Sequence, residues 1–289
     1  MRSVRTADEM SRLSTQWRRA GETVGFVPTM GNLHRGHMSL VQLAAGRADR
    51  AVVSIFLNPT QFGEGEDLED YPRTPEEDLQ KLREAGVDAA FLPDPREIYP
   101  EGFSTWVEVE GLTEGLCGRF RPGHFRGVTT VCAVLFGIVR PHFAVFGRKD
   151  AQQLAVIRRM TVDLRMGIEV VAGPVVREPD GLAISSRNGY LSPEQRRQAA
   201  AISRGLRRAA EMAAAGSRDA AALEGAVREA VAGQDQLRLQ YVSLVDPETT
   251  EPMSVLERTG LLAAAVYAGE TRLIDNVMLE PAPKRKNGR

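Results

Sequence analysis

The 289-residue sequence has little of what marks several large classes of protein. Its two cysteines, Cys117 and Cys132, are too few for a disulfide scaffold and lack the spacing of a metal site. No apolar run approaches the length of a membrane span, and residues 1–9 lack the apolar stretch of a signal peptide. We therefore expect a cytoplasmic protein that has no membrane partner.

Net charge is nearly absent as well. The chain has 37 Lys and Arg against 38 Asp and Glu, so no overall positive field attracts nucleic acid. Residues 119–126 are basic and aromatic, which leaves an RNA-binding patch as an alternative to a loop near an active site or a subunit contact. At this net charge we favour the loop and expect no nucleic-acid partner.

Several familiar nucleotide-binding and hydrolytic motifs are also missing. No Gly-Lys dipeptide occurs, which excludes the usual P-loop, and the dinucleotide fingerprint G-x-G-x-x-G is not found. The nucleophile elbow G-x-S-x-G and the zinc motif H-E-x-x-H do not occur either. Any phosphate site must therefore be built from other residues.

What the sequence does contain is a regular alternation of strand-like and helix-like segments over residues 1–175. Apolar, β-branched segments that predict buried strands lie at residues 23–28, 51–57, 89–92, 143–146 and 168–171. Thr74 and Asp150 precede two of the helical patterns as candidate caps. This alternation predicts an α/β fold with a Rossmann-like doubly wound parallel sheet, whose ligands lie beyond the carboxyl ends of the strands.

The pattern changes after Arg187, where Ser192 and Gln195 resemble a capping box before a long alanine-rich helix. The later predicted elements are helices at residues 193–215 and 220–232 and strands at residues 239–245, 261–267 and 273–279. We predict a Rossmann-like domain at residues 1–175, a smaller α+β C-terminal domain at residues 176–282 and a disordered tail at residues 283–289.

His34 and His37 form the most informative motif, because they are two of only four histidines and lie between a strand and a helix. At this spacing two imidazoles share one face of a helix. The free N–H groups of a first helical turn, beside them, attract phosphate oxygens. A helix cap, a core histidine or half of a metal site remain alternatives, although a metal site would need more ligands.

Two further polar segments follow predicted strands, where a parallel sheet presents its ligands. In residues 147–150, Lys149 could neutralise a phosphate, and Asp150 could accept from a ribose hydroxyl or help to place a metal. Asn58 and Gln61 offer neutral groups that suit a carboxylate and a hydroxyl. Each segment is also compatible with an ordinary turn.

A third segment, residues 185–187, supplies two serine hydroxyls and a guanidinium, which can bind phosphate oxygens. Taken alone it would fit a polar linker. Its combination with the histidine motif, far upstream in the chain, makes a phosphate site the more specific interpretation.

Together these motifs resemble the pantothenate synthetase (pantoate–β-alanine ligase) family of the nucleotidylyl transferase superfamily. The matching segments occur in family order at residues 28–37, 55–62, 71–74, 121–125, 147–150, 185–188 and 275–276. The resemblance implies a two-step reaction in which pantoate attacks the α-phosphate of ATP, giving pantoyl adenylate and pyrophosphate. β-Alanine then displaces AMP to form pantothenate. It also implies Mg²⁺ with the ATP and a homodimer.

The resemblance implies roles for individual residues. His34, His37, Lys149 and Arg187 would be catalytic, with His37 usually assigned as proton donor and described by us mainly as a charge stabiliser. The implied ATP-binding residues are Met30, Gly31, Asn32, Leu33, His34, Arg35, Gly36, His37, Gly147, Arg148, Lys149, Asp150, Val176, Ile184, Ser185, Ser186 and Arg187. Pantoate would bind Met30, Asn58, Gln61 and Gln153, and β-alanine would bind Gln61.

Two positions depart from the family pattern. Cys117 replaces a glutamate that the family usually carries, so we expect any polar contact of that glutamate to be missing. Arg148 lies where glutamate is common, and we expect its side chain to point outward. Neither change touches the implied phosphate ligands, so we predict activity.

Two rival functions follow from the same motifs. A nucleotidylyl transferase that acts on a phosphate acceptor would share the histidine and serine–arginine segments, but it would not be expected to carry residues 58–62 beside them. A non-catalytic nucleic-acid-binding protein on the same core is disfavoured by the net charge of −1.

Overall fold

The computed structural model describes residues 1–282, which form two compact units. The first unit comprises Met1–Glu114 and Gly118–Val176, and the second comprises Gly115–Cys117 and the described chain from Arg177 onward. The tail predicted at residues 283–289 lies outside the described residues. Among the described helices, none is both long and apolar enough to span a bilayer.

A six-stranded sheet forms the centre of the first unit, in the order β1-β4-β3-β2-β5-β6. Its strands are β1 (Arg2–Val4), β2 (Val24–Thr29), β3 (Arg50–Ile55), β4 (Ala89–Phe91), β5 (Phe143–Gly147) and β6 (Glu169–Gly173). All neighbouring strands pair in parallel, so their carboxyl ends lie along one edge. The chain order reverses between β2 and β5, which confirms the doubly wound sheet.

The helices connect these strands, and an apolar cluster that includes Val27, Val41, Val53 and Leu82 packs between helices and sheet. In this part of the chain they are α1 (Ala7–Arg19), α2 (Arg35–Ala45), α3 (Pro75–Glu84), α4 (Pro95–Ile98), α5 (Leu116–Phe120), α6 (His124–Val139) and α7 (Ala151–Asp163). The strand β1 and the helix α1 were not predicted.

Helix caps test the sequence analysis at single residues. Thr74 and Asp150 occupy the N-cap positions of α3 and α7, as predicted, although neither side chain accepts a helix N–H. Thr74 Oγ1 donates instead to Asp78 Oδ1 at 3.2 Å. The capping box of Ser192 with Gln195 is confirmed.

The second unit pairs a three-stranded antiparallel sheet, in the order β7-β8-β9, with two helices. Its elements are α8 (Pro193–Ala214), α9 (Ala220–Ala232), β7 (Leu237–Val245), β8 (Gly260–Ala268) and β9 (Thr271–Leu279). Gly205 allows the two helices to approach closely, since a Cβ there would lie 2.8 Å from Val227 Cα. The smaller α+β fold is thereby confirmed.

Candidate active site

The histidine motif and the segment at residues 147–150 follow β2 and β5, which are neighbours in the sheet. The sheet reverses its strand order between these two strands, and this is where open α/β sheets leave a crevice for ligands. The fold therefore brings His34, His37, Lys149 and Asp150 to one edge of the first unit.

His34 and His37 cap the helix α2 through reciprocal hydrogen bonds. His34 is the N-cap residue, and its Nδ1 accepts from the His37 backbone N–H at 3.3 Å. His37 Nδ1 in turn accepts from the His34 backbone N–H at 3.5 Å. The two rings stack, with centroids 3.9 Å apart and planes 10° from parallel. The pair is thus a capping box made of imidazoles.

These hydrogen bonds determine which nitrogen carries the proton when each ring is neutral. Because each Nδ1 accepts a backbone N–H, a neutral ring must carry its proton on Nε2. Burial, with further contributions from neighbouring charges, lowers the pKa of His34 to about 4 and that of His37 to about 3. Near neutral pH both rings are therefore uncharged in the free protein, and the Asn32 carbonyl lies close enough to the His37 ring to oppose the lowering of its pKa.

Lys149 supplies the formal positive charge beside these donors. Its Nζ lies 3.7 Å from Asp150 Oδ1, and about a fifth of its side chain is exposed. The positive charge of Lys149 lowers the pKa of both histidines, while the carboxylate of Asp150 opposes it. Arg148 is exposed, as expected. Lys149 therefore gives this edge a positive charge while both imidazoles are neutral in the free protein.

Gln61 lies in the turn Pro59–Gln61, just after β3, and both ends of its amide have partners. Its Oε1 accepts from Asn58 Nδ2 at 3.1 Å, and its Nε2 approaches Met30 Sδ at 3.0 Å. Asn58 is 1% exposed, and its Oδ1 accepts from the Tyr99 hydroxyl at 2.8 Å. Asn58 therefore orients Gln61 from within the protein.

Two residues that the sequence analysis left without a role also hold Gln61. His124 Nδ1 lies 2.8 Å from the Gln61 carbonyl oxygen, and its Nε2 lies 3.0 Å from Arg121 Nη1. Arg121 is held in turn by two 2.6 Å hydrogen bonds to Glu66. Burial lowers the pKa of His124 to about 4, so this ring is a neutral donor to Gln61. In the sequence, the signal that could have revealed this support for Gln61 was the arginine, proline, glycine and histidine at residues 121–124.

The first unit also contains other predicted ligand residues, which are close in sequence to these groups. Gly31 and Asn32 adopt left-handed backbone angles, with φ of +87° and +50°, and Leu33 is 2% exposed. Gln153 is half-buried in the first turn of α7, and its neighbour Gln152 donates to the Leu112 carbonyl oxygen at 2.9 Å. The remaining predicted residues of this unit are Arg35, Gly36, Gly147 and Val176.

The serine–arginine segment belongs to the second unit. Ser185 caps the short turn Ser186–Tyr190, and its Oγ accepts from the Arg187 backbone N–H at 3.3 Å. Ile184, just before it, is buried. Asn188 Nδ2 donates to the Ala183 carbonyl oxygen at 3.1 Å, which ties the turn to the chain before it.

A buried ion pair supports the chain that leads into this segment. Arg177 donates to both carboxylate oxygens of Asp275, at 2.6 and 2.9 Å, and Asp275 is 2% exposed. Arg177 also donates to the carbonyl oxygens of Gly181 and Asn276, at 3.0 and 3.2 Å. The guanidinium therefore joins the segment to β9.

Cys117 has polar contacts of its own, which the sequence did not indicate. Its Sγ lies 3.2 Å from the Tyr241 hydroxyl and 3.4 Å from Arg272 Nη2. Arg272 Nε also donates to Gln240 Oε1 at 2.8 Å. The thiol thus takes part in a polar cluster within the second unit.

Comparison with known proteins gives a consistent result. The family model described as Pantoate-beta-alanine ligase matches residues 2–278. A pantothenate synthetase from Heliobacterium modesticaldum is 52% identical over 280 residues, covering 97% of this chain and 100% of that protein. The crystal structure of pantothenate synthetase from Thermus thermophilus is similar, with a TM-score of 0.91, 48% identity, and coverage of 98% and 100%.

A more distant solved structure adds ligands to the comparison. Pantoate-beta-alanine ligase from Francisella tularensis, complexed with beta-gamma ATP and β-alanine, has a TM-score of 0.81 and 31% identity, and covers 96% of this chain and 97% of its own. A family match over nearly the whole chain, with relatives near half identity, settles the assignment. This chain belongs to the pantoate–β-alanine ligase family.

Proposed function

We propose that this chain condenses (R)-pantoate with β-alanine to give pantothenate, a coenzyme A precursor, while ATP is cleaved to AMP and pyrophosphate. It is an AMP-forming acid–amino-acid ligase that works through pantoyl adenylate. The observation that carries the proposal is the imidazole capping box of His34 and His37 at the reversal point of the sheet. The ligand-bound relative from Francisella tularensis supports ATP and β-alanine as substrates.

In the first half-reaction a carboxylate oxygen of pantoate forms a bond to the α-phosphorus of ATP, and pyrophosphate leaves. Negative charge on the phosphoryl oxygens must be stabilised, and donors held in advance do this best. His34 and His37 supply two fixed Nε2–H donors, and Lys149 supplies the positive charge. In the free protein the pKa of His37 is lowered to about 3, and we assign its ring to stabilise phosphate charge by donating a hydrogen bond.

In the second half-reaction the amine of β-alanine attacks the acyl carbon of the adenylate, and AMP leaves with the acyl oxygen. Gln61, held by Asn58 and His124, binds pantoate and lies near β-alanine. Gln153 gives pantoate a second amide contact, and Met30 packs against the substrates. Holding the reactants in line removes part of the entropic cost of the reaction.

Further contacts to the nucleotide belong to this proposal. Gly147 and Asp150 contact the nucleoside, and the Val176 backbone contacts adenine. Ser185, whose hydroxyl caps its turn, acts with Ser186 and Arg187 on phosphate oxygens. The further ATP-binding residues are Gly31, Asn32, Leu33, Arg35, Gly36, Arg148 and Ile184.

Mg²⁺ enters as part of the ATP substrate. Within residues 1–282, no group of three or more His, Cys, Asp or Glu side chains is placed to hold a metal ion. This fits magnesium, which binds through substrate phosphates with one or two carboxylates and keeps several waters. Asp150, with 46% of its side chain exposed, is the carboxylate available to it. The ion would neutralise charge on the phosphates.

We also assign the first unit as the ATP- and pantoate-binding domain, and propose a cytoplasmic homodimer as the family resemblance implies. Light scattering on the purified chain tests the dimer, for which a mass near twice 31.7 kDa is expected. A mass of one chain at assay concentrations would contradict it.

Pyrophosphate release tests the reaction. Pantoate with ATP is expected to give pyrophosphate, and addition of β-alanine is expected to give AMP and pantothenate in continuous turnover. The rival transferase reaction is tested with 4′-phosphopantetheine as acceptor. Turnover with that acceptor and none with pantoate would overturn the proposal.

Filter binding at low salt tests the nucleic-acid alternative. We expect no retention of RNA or DNA, since the chain has a net charge of −1 and nucleic-acid affinity depends on phosphate neutralisation. Tight retention combined with the absence of adenylation would favour the alternative.

A further inference from the structure

A completely buried carboxylate lies beneath the turn that leads into the histidine motif. Asp78, in α3, has 0% of its surface exposed. Its Oδ2 accepts from the Asn32 backbone N–H at 2.8 Å, and its Oδ1 accepts from the Leu33 backbone N–H at 2.7 Å. Thr74 Oγ1 adds a third hydrogen bond. A buried carboxylate is costly unless it is hydrogen-bonded, so these donors hold it in one position.

The turn that Asp78 binds has an unusual backbone. Gly31 and Asn32 both adopt positive φ, which ordinary residues avoid. Space is tight as well, since a Cβ at Gly31 would lie 3.2 Å from Asp78 Oδ2 and 3.1 Å from Ile55 Cγ2. Successive N–H groups converge on a single carboxylate, which compensates for the cost of the left-handed backbone.

A second side chain of α3, that of Lys81, binds a carbonyl oxygen of the same turn. Lys81 Nζ donates to the Leu33 carbonyl oxygen at 2.8 Å. The peptide groups on both sides of Leu33 are therefore bound to α3, one through its N–H and the next through its carbonyl oxygen. The next residue is His34, the N-cap of α2.

We propose that Asp78 is a positioning residue for the ligase reaction. Through Asn32 and Leu33 it fixes the backbone of His34, and so keeps the reciprocal imidazole hydrogen bonds that leave the proton of each neutral ring on Nε2. Lys81 assists from the carbonyl side. The catalytic role of the histidines rests on the proposed function. The effect of Asp78 on the tautomer of the two rings does not depend on it.

The test compares Asp78→Asn with a matched control, Asp88→Asn. Asp88 also lies in the first unit and accepts a backbone N–H, that of Ala51 at 2.8 Å. It lies just before β4, at the amino ends of the strands. In Asp78→Asn one turn N–H must face an amide NH₂. Loss of orientation of this kind lowers rates by about a hundredfold.

Two readouts are needed. The first is the rate of pyrophosphate release with saturating ATP and pantoate, in which kcat is expected to fall for Asp78→Asn and to stay near wild type for Asp88→Asn. The second is the tautomer of His34 and His37, read from long-range ¹H–¹⁵N spectra, which are simple because the chain has four histidines. Asp78→Asn is expected to remove the uniform Nε2–H pattern, and Asp88→Asn to retain it.

Three outcomes would overturn the proposal: a folded Asp78→Asn with wild-type rate, a rate loss with unchanged tautomers, or an equal rate loss in Asp88→Asn. If Asp78→Asn does not fold, Lys81→Met decides, because that side chain is partly exposed and can keep its stem packing. A several-fold lower kcat together with altered tautomers supports the proposal, and wild-type behaviour overturns it. Failure of the wild type to release pyrophosphate would contradict the reaction only, since the tautomer readout would still decide the role of Asp78.

Discussion

The two segments that carry the proposed phosphate-binding groups are held in place in different ways. In the first unit, the buried carboxylate of Asp78 binds backbone N–H groups directly, at Asn32 and Leu33. The main chain before His34 is therefore fixed without an intermediate side chain. A carboxylate on two N–H groups satisfies donors that would otherwise be buried and unpaired.

In the second unit the buried carboxylate of Asp275 binds a side chain instead. It pairs with Arg177, and the guanidinium then binds the carbonyl oxygens of Gly181 and Asn276. The chain before Ser185 is thus joined to β9 through a side-chain ion pair. The comparison teaches that a buried carboxylate can hold a segment directly, through backbone N–H groups, or indirectly, through the side chain of a partner residue.

Loss of the ion pair should have the largest effect on stability. Asp275→Ala leaves Arg177, whose side chain is 31% exposed, without its carboxylate partner, which costs about 1–3 kcal/mol of unfolding free energy. Urea unfolding measures it, with Arg196→Ala as control, because Arg196 in α8 pairs with Asp180, a carboxylate that is 42% exposed, whereas Asp275 is buried. Equal losses in the two variants would break the comparison.

Removal of one imidazole should have the largest effect on the reaction. His37→Ala deletes a fixed donor and half of the capping box, and loss of such a donor costs about 10²–10³ in kcat. Single-turnover formation of pantoyl adenylate measures it. His142→Ala is the control, since His142 Nδ1 also accepts a backbone N–H, from Val24, at the amino end of β5. An unchanged adenylation rate in His37→Ala would refute the role of His37.

Removal of the Arg187 guanidinium should lower activity less than removal of the His37 imidazole. Arg187→Ala removes a charge-assisted hydrogen bond to phosphate, worth about 1.5–3 kcal/mol, so kcat/KM for ATP is expected to fall roughly 10- to 100-fold. Steady-state kinetics with varied ATP measures it, and Arg197→Ala, whose side chain is 73% exposed in α8, is the control. A value of kcat/KM like that of the control would remove Arg187 from the phosphate site.

Acid should gradually lower the free energy of unfolding through His34 and His37. Because the pKa values of His34 and His37 are lowered from 6.5 to about 4 and about 3, the unfolded chain binds protons that the native state does not. The free energy of unfolding should therefore be insensitive to these groups above pH 6.5. Below it, stability should fall by at most about 1.4 kcal/mol per pH unit for each histidine.

The pH effect is measured by urea unfolding between pH 4.5 and 7.5 in the wild type and in His37→Gln. His34 and His124 have the same direction of pKa shift and remain in both proteins, so the difference between the two slopes isolates the contribution of His37. Identical slopes would show that His37 does not bury a neutral ring.

The part of the fold that the sequence predicted is the part with repeated local signals. Apolar strands alternating with helices predicted the parallel sheet, and a strand–turn–helix context located the histidines at its carboxyl edge. The strand β1 was missed because three residues are too few to show a period, and α1 was missed with it.

The supporting residues could not be predicted because their partners are far away in sequence. Asp78 follows Glu76 and Glu77 in the first turns of α3, and an acidic run there is typical of an exposed helix start. Only the tertiary structure shows that Asp78 alone is buried and bound to a turn 46 residues earlier. The role of His124 was missed for the same reason, because its bonding partner Gln61 is far from it in the sequence.

The reciprocal hydrogen bonds of His34 and His37 also determine which ions can approach the turn. A neutral imidazole that coordinates zinc or nickel through Nε2 must carry its own proton on Nδ1. Here both Nδ1 atoms face backbone N–H groups, so coordination by either ring would open the cap of α2. The capping box that places each ring proton on Nε2 is for the same reason a poor chelator of the transition metals that paired histidines otherwise collect.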